Sequence, residues 1–271
     1  MQVRSFHVDP LLVPYIDSIW TFKTETALSS HDIRTVPPNA KPKLLLPIRG
    51  TISCHINHRD GEHAEARIMV VGAMEGPVVL NCGPNTTLGV EFRPGMAYPF
   101  LGVSMKDLLN AAYSWSTIVG RMGQEVEWQI EDTPVIEEKV SLLQRFLIQR
   151  LYALSIEDRL IETAVSMIQS TRGLMSVASL SQALGYSKQY LERKFREQVG
   201  LSPKTLSRIL RFQAAYHRWM AQPTSKVSWQ AYANLYYDQA HFIKEFKHFT
   251  GFSPLEYTQQ VNEFMQTFYQ P

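Results

Sequence analysis

Ser187-Lys-Gln-Tyr-Leu-Glu-Arg-Lys-Phe-Arg-Glu-Gln-Val-Gly-Leu-Ser-Pro203 returns in diverged form 51 positions later as Asp238-Gln-Ala-His-Phe-Ile-Lys-Glu-Phe-Lys-His-Phe-Thr-Gly-Phe-Ser-Pro254. Phe195, Gly200, Ser202 and Pro203 fall on Phe246, Gly251, Ser253 and Pro254, while Arg193 falls on Lys244 and Arg196 on Lys247. Each copy opens on a residue suited to cap a helix, carries apolar side chains at helical spacing and stops at Gly. A duplicated short basic helix suggests two similar readers of one periodic object. Duplex DNA is such an object.

Working outward, Ser176 can cap a short helix with Val177, Leu180 and Leu184 on one face. Gly185 supplies a left-handed position for the turn, and Ser187 caps the next helix. There Tyr190, Leu191 and Phe195 point inward, leaving Lys188, Gln189, Glu192, Arg193 and Arg196 outside. These are the parts of a helix-turn-helix. The outer residues suit base reading, since Arg pairs bidentately with guanine and Gln with adenine. A helix from Pro203 to about Ala221, with Leu206, Ile209, Phe212, Ala215 and Trp219 inward, would hold the two readers apart. Reading one face of a duplex twice requires roughly 34 Å. The second unit follows with Val227 to Tyr236, the cap Asp238, and the reader Gln239 to Thr250. Plain helical hairpins would also bury the Phe and Leu and solvate the Lys and Arg. Two capped copies, both ending in Gly-x-Ser-Pro, favour the DNA reader. Leu191, Phe195, Phe242 and Phe246 are core under either view.

Charge divides in the same place. Residues 1–159 carry 15 Lys and Arg against 18 Asp and Glu, a net −3, and residues 160–271 carry 12 against 7, a net +5. A basic half is what counterion release from phosphates rewards. The first ~110 residues read as mostly β, with runs at Lys43–Ile48, Thr51–Ile56, Arg67–Val71, Val78–Leu80 and Leu88–Phe92. Asp60-Gly61 is a hairpin signal between them. Val13–Phe22 fits a helix or a strand equally. Thr133-Pro134 then looks like a cap with Pro at the first helical position. Behind it Ile136, Val140, Leu143, Leu147, Leu151 and Leu154 form a near-heptad stripe, which either covers the β domain or makes a dimer seam. Ser155-Ile-Glu-Asp158 resembles a capping box and marks the expected boundary. The expected organisation is an N-terminal domain over 1–154, closed by a helix at about 134–154, and a DNA-binding domain over 155–271. Its units fall at about 176–200 and 227–251, with the connector at about 203–221.

The C-terminal ~115 residues resemble the AraC/XylS-type transcriptional regulators. The resemblance rests on Leu184-Gly185-Tyr186-Ser187, Leu191-Glu192-Arg193-Lys194-Phe195, Gly200-Leu201-Ser202-Pro203, Arg211-Phe212-Gln213-Ala214-Ala215, Tyr237-Asp238-Gln239-Ala240-His241-Phe242 and Thr250-Gly251-Phe252-Ser253-Pro254. The front half is similar to the sensor domain of one AraC subgroup, through Tyr15–Trp20 and Gly89-Val90-Glu91-Phe92-Arg93-Pro94-Gly95. The resemblance implies two domains: a mainly β N-terminal half, a cupin-like barrel or sandwich with amphipathic helices, and an all-α C-terminal half with two helix-turn-helix units joined by a long helix. It implies base reading by Gln189, Glu192 and Arg193 in unit one and by Gln239, Ala240 and Lys244 in unit two. Lys188, Arg196 and Lys247 would meet phosphates. The implied partners are double-stranded DNA, RNA polymerase, a small-molecule effector lodged near Tyr15, Trp20 and Arg93, and a second copy through helix 134–154. No catalysis and no cofactor is implied. Two departures stand out: Ser181 replaces the Ala usual in the first helix of unit one, and Leu235 replaces the turn Gly of unit two. A left-handed Leu costs roughly 1–2 kcal/mol, so unit two is expected to be distorted and the weaker reader.

Other constellations carry less. Cys54, His55, His58 and His63 invite a metal-dependent cupin-type enzyme, but they flank a polar hairpin, and neighbours on a strand face opposite sides. A DNA-repair protein with an AraC-like delivery domain would need a cysteine cluster near its N-terminus, where this chain has none. Tyr15, Trp20, Trp115 and Trp128 fit core packing better than a cavity lining. With two cysteines, no signal-like N-terminus and no run near 18 apolar residues, the expectation is a cytoplasmic soluble protein.

Overall fold

The computed structural model describes residues 1–25, 35–50, 52–56, 59–60, 67–154, 159–221, 232 and 234–259, without the side chains of 52–56, 59–60, 80–82 and 221. The N-terminal half contains β1 (Gln2–Phe6), β2 (Ile16–Thr24), β3 (Thr35–Val36), β4 (Lys43–Arg49), β5 (Ile52–Ile56), β6 (Arg59–Asp60), β7 (Met69–Val71), β8 (Val78–Cys82), β9 (Asn85–Phe92) and β10 (Ala112–Ser114). They form two antiparallel sheets, ordered β1-β2-β9-β4-β7-β10 and β3-β8-β5-β6. Alternation decides the faces. Ile19 pairs with Val90 and Val90 with Leu44, and all three are buried on one side. That side is covered by α1 (Tyr98–Leu101), α2 (Trp115–Val119), α3 (Arg121–Asp132) and α4 (Ile136–Leu154), through Phe100, Trp115, Ile130, Leu143 and Leu147. Each such side chain fully removed from water contributes about 1.5–3 kcal/mol.

On the opposite face, Trp20 pairs with Gly89, and a Cβ on Gly89 would lie 2.4 Å from the indole Cζ2, so only Gly lets the ring lie flat there. Beside it, Glu91 pairs with Lys43 across the strands at 3.2 Å and also takes Lys41 at 3.1 Å and the Asn39 amide at 3.0 Å. Burial works to raise the Glu91 carboxyl, but the charges of Lys43 and Lys41 and the Asn39 amide outweigh it and bring it from 4.5 to about 2.

The C-terminal half is helical wherever it is described: α5 (Arg159–Ser170), α6 (Val177–Leu184), α7 (Lys188–Gln198), α8 (Pro203–Ala221), α9 (Gln239–Thr250) and α10 (Pro254–Thr258). Ile161, Leu191, Phe195, Leu206, Phe212, Trp219 and Phe246 form its core. The halves are joined. Phe22, Ala40 and Ala73 belong to the same apolar cluster, and the Gln213 amide on α8 donates to the Pro38 carbonyl at 2.6 Å.

Several expectations change. Val13–Phe22 divides: Val13–Tyr15 lie in a turn, and from Ile16 the chain is the strand β2, which runs on to Thr24. Asp60 is paired with His55, and Ile56 with Arg59, so the chain reverses before Asp60 rather than at Asp60-Gly61. Thr133 is the C-cap of α3, its hydroxyl bonded to the Gln129 carbonyl, and α4 begins at Ile136, not at Pro134. The helix α3 was hidden because Gly120 and Gly123 punctuate its start and its buried positions are only Gly123, Val126, Glu127 and Ile130. Within α4, Val140, Leu143 and Leu147 are buried in the N-terminal core, so the stripe covers the β domain. Trp115 is wholly buried, but Trp128 is 54% exposed and is neither core nor cavity wall. The supposed boundary cap at Ser155 and Asp158 lies outside the described residues.

Candidate nucleic-acid interface

The first unit folds from local signals. The Ser176 hydroxyl accepts from the Ser179 amide at 3.0 Å, and α6 ends on Gly185 at φ +73°. The Ser187 hydroxyl then accepts from the Tyr190 amide at 3.2 Å to start α7. Each such cap is worth about 1 kcal/mol. Leu180, Leu191 and Phe195 anchor the unit in the core, and Lys188, Gln189, Glu192, Arg193 and Arg196 are all exposed. Tyr190 departs from its expected inward position. It is half-buried, its ring stacks on Tyr186 at 5.0 Å, and the Arg193 guanidinium lies over it at 5.2 Å.

Ser181 has a use that Ala could not serve. Its hydroxyl donates to the Tyr186 carbonyl at 2.5 Å, closing the turn from the helix side.

In the second unit the Asp238 carboxylate accepts from the His241 amide at 2.7 Å, and α9 ends on Gly251 at φ +84°. Gln239, Ala240, Lys244 and Lys247 are exposed, while Phe242, Phe246 and Phe249 are buried. Of the expected helix Val227 to Tyr236, residues 227–231 and 233 lie outside the described residues, while 232, 234 and 235 are in turns and 236 is outside any helix. Leu235 does not carry the expected strain. Its φ is not positive; its amide donates to the Tyr232 carbonyl at 2.8 Å and its side chain is 3% exposed. Leu235 serves as core, and Tyr236, which stands 51 positions after Gly185, has no positive φ either. Beyond α9, Ser253 and Glu256 form a capping box on α10, and the Tyr257 hydroxyl meets that of Tyr216 at 2.8 Å. The rest of the expected final helix, from Val261 through Phe268, lies outside the described residues.

Between the units α8 runs 19 residues, about 28 Å at 1.5 Å per residue, of the order of one duplex turn. Arg208 on this helix bonds both oxygens of Glu245 on α9, at 2.7 and 3.2 Å.

The candidate effector residues do not converge. Tyr15 lines a cleft of about 280 Å³ between the two halves, together with Met96, Tyr98, Arg159, Glu162 and Gln198. Trp20 lies on Gly89, and Arg93 donates to the Val13 carbonyl at 3.0 Å with Asp17 at 3.7 Å; neither lines that cleft. The side chains of Cys54 and His55, and all of His58 and His63, lie outside the described residues. Among the described residues, no group of His, Cys, Asp and Glu is placed to hold a metal, and no helix is long and apolar enough to cross a membrane.

A helix-turn-helix of two capped helices, α6 and α7, with a further capped helix, α9, beyond the connector α8, places the C-terminal half in the helix-turn-helix class. Residues 180–260 match the family model of a helix-turn-helix domain, and residues 4–114 match that of a domain of unknown function, DUF6597. Among solved structures, ToxT from Vibrio cholerae in its P21 form is 14% identical, with a TM-score of 0.51, covering 91% of this chain and 100% of that one. ToxT from Vibrio cholerae O395 bound to (E)-4-(8-methylnaphthalen-1-yl)but-3-enoic acid is 15% identical, with a TM-score of 0.49, covering 91% and 100%. The AraC-like transcriptional activator CuxR is 15% identical, with a TM-score of 0.33, covering 79% and 80%. No curated protein matches the chain. Residues 180–260 are thus a helix-turn-helix domain, and the fold of the whole chain is like that of the ToxT structure.

Proposed function

We propose that the chain is an AraC-type transcriptional regulator that reads a specific duplex sequence with α7 and α9, and that a small molecule bound at its N-terminal domain modulates the reading. In this reading residues 1–154 sense and residues 155–271 bind DNA. Gln189, Glu192 and Arg193 contact bases in one major-groove segment, and Gln239, Ala240 and Lys244 contact the next. Lys188, Arg196 and Lys247 neutralise phosphates. The observation that carries this is shared by both copies of the repeat: capped helices whose Phe and Leu are buried while all nine of these residues stand exposed. Unit one is the stronger discriminator, because Arg offers a planar two-point donor where unit two offers Lys244 as a point charge and Ala240 no polar group.

The effector's place is supported by the cleft between Tyr15 and Tyr98 on one side and Arg159 and Glu162 on the other. A ligand shifts an arrangement only by binding one form better, and a molecule touching both halves does so directly. RNA polymerase is the expected protein partner. A second copy could pair through α4 only by its outer face, where Tyr152 is 64% exposed, since the apolar stripe is taken.

Genome-wide mapping of bound sites, followed by gel shifts on the duplexes recovered, tests the reading. A common motif bound at physiological salt far more tightly than random duplex is expected. Equal affinity for every duplex would end the claim of sequence specificity.

A further inference from the structure

We infer that Tyr190, backed by Tyr186, is a positioning residue that holds the Arg193 guanidinium ready for a base before DNA arrives; this rests on the reading that Arg193 contacts bases. Arg193 follows Tyr190 by three residues on α7, so the two share a face of the helix. The guanidinium lies 5.2 Å from the Tyr190 ring centre. That ring stacks at 15° on Tyr186, so three flat groups form one column at the exposed edge of the reader. Both tyrosines are themselves held. The Tyr190 amide is bonded to Ser187, and the Tyr186 carbonyl accepts the Ser181 hydroxyl.

The repeat provides an internal comparison. Tyr237 stands 51 positions after Tyr186, His241 after Tyr190 and Lys244 after Arg193. Tyr186 is 45% exposed, whereas Tyr237 is 92% exposed, and His241 meets Tyr236 edge-on at 5.3 Å. The column therefore belongs to the unit that has Arg. A long Arg side chain is mobile when free, and a planar guanidinium must be oriented to bond two atoms of one base. Stacking on an aromatic face restricts it in advance, and preorganisation of this kind raises affinity for the matched base without adding a contact. A point-charge ammonium such as that of Lys244 gains less from orientation.

The test uses the full chain and a duplex selected from a randomised library by the unaltered protein. Tyr190→Leu should weaken binding to that duplex about threefold to fivefold, the worth of one exposed cation–π contact. Binding to random duplex and the salt slope should not change. Discrimination should fall at the same base pair at which Arg193→Ala loses it. Tyr190→Phe should retain it, since the ring and not the hydroxyl does the positioning. Tyr186→Ala, at a 45%-exposed site that leaves the fold intact, should act in the same direction by a smaller factor. In the combination of Tyr190→Leu with Arg193→Ala, the Tyr effect should vanish. Additive effects, or an equal loss in Tyr190→Phe, would overturn the inference. If Arg193→Ala changes neither affinity nor preference, the assignment of the reader itself fails, and this inference with it.

Discussion

Arg208 and Glu245 tie the connector helix to the second reader. Two hydrogen bonds, one to each carboxylate oxygen, join them, and the same guanidinium lies 5.4 Å over the Phe249 ring. Glu245 stands 51 positions after Lys194, so the repeat carries the opposite charge at this position. With its carboxylate only 10% exposed, the pair sets the orientation of α9 on α8.

Removing one partner leaves the other charge poorly solvated. Glu245→Ala should therefore destabilise the helical half by about 2 kcal/mol and weaken DNA binding as the second reader loosens. The double exchange Arg208→Glu with Glu245→Arg should recover part of both losses. Thermal melts and gel shifts on the three proteins decide it, and the idea is lost if Glu245→Ala melts with the unaltered chain.

Glu91 links folding to acid. Its carboxyl is at about 2 when folded against 4.5 ordinarily, so its stabilisation is fully present above pH 4.5. It is lost as pH falls from there through 2, and the difference corresponds to about 3 kcal/mol. Glu91→Gln should lower stability at pH 7 by an amount of that order and flatten the decline of stability below pH 4.5. Urea titrations across pH 7 to 3 measure this; a variant with an unchanged acid limb would show that Lys41, Lys43 and Glu91 do not act as a unit.

The helical half was legible because its signals are local. Ser187, Gly200, Asp238 and Gly251 each act within one turn, and α7 and α9 start directly after their caps Ser187 and Asp238. The resemblance of the motifs added the role expected of each residue on DNA. What stayed hidden depends on distant partners. Leu235 looked like a strained turn residue because its neighbour Tyr232 and the core around it cannot be read from the repeat. Thr133 looked like an N-cap because α3, which it closes, has a weak apolar pattern. The Tyr186–Tyr190–Arg193 column shows in sequence only as spacing, and periodicity alone places Tyr190 in the core. No spacing signal marks the cleft at Tyr15, which is assembled from four segments spread between Pro14 and Gln198.

Gly200 and Gly251 provide a measure of how firmly the halves are joined. Both have φ +84°, so Ala at either meets the same backbone penalty, roughly 1–2 kcal/mol. A Cβ at 251 meets nothing within 4 Å, whereas one at 200 would lie 2.7 Å from the Met105 carbonyl of the N-terminal half. Gly200→Ala should therefore cost more than Gly251→Ala and should push the two halves toward separate calorimetric transitions. Equal melting temperatures for the two variants would mean that the contact at Met105 yields without cost.

Base contact and phosphate contact are separated by two further substitutions. Arg193 is exposed on the reader of unit one and its guanidinium suits a guanine edge, so Arg193→Ala should cost about 1–3 kcal/mol on the recovered site and relax preference at one position. Lys247, exposed in the last turn of α9, should act on charge alone. Lys247→Ala is expected to weaken every duplex alike and to reduce the slope of log affinity against log salt by about 1. Fluorescence anisotropy on matched, single-substituted and random duplexes at several salt concentrations distinguishes the two. A uniform loss from Arg193→Ala would move it to the phosphate class, and a base-dependent loss from Lys247→Ala would do the reverse.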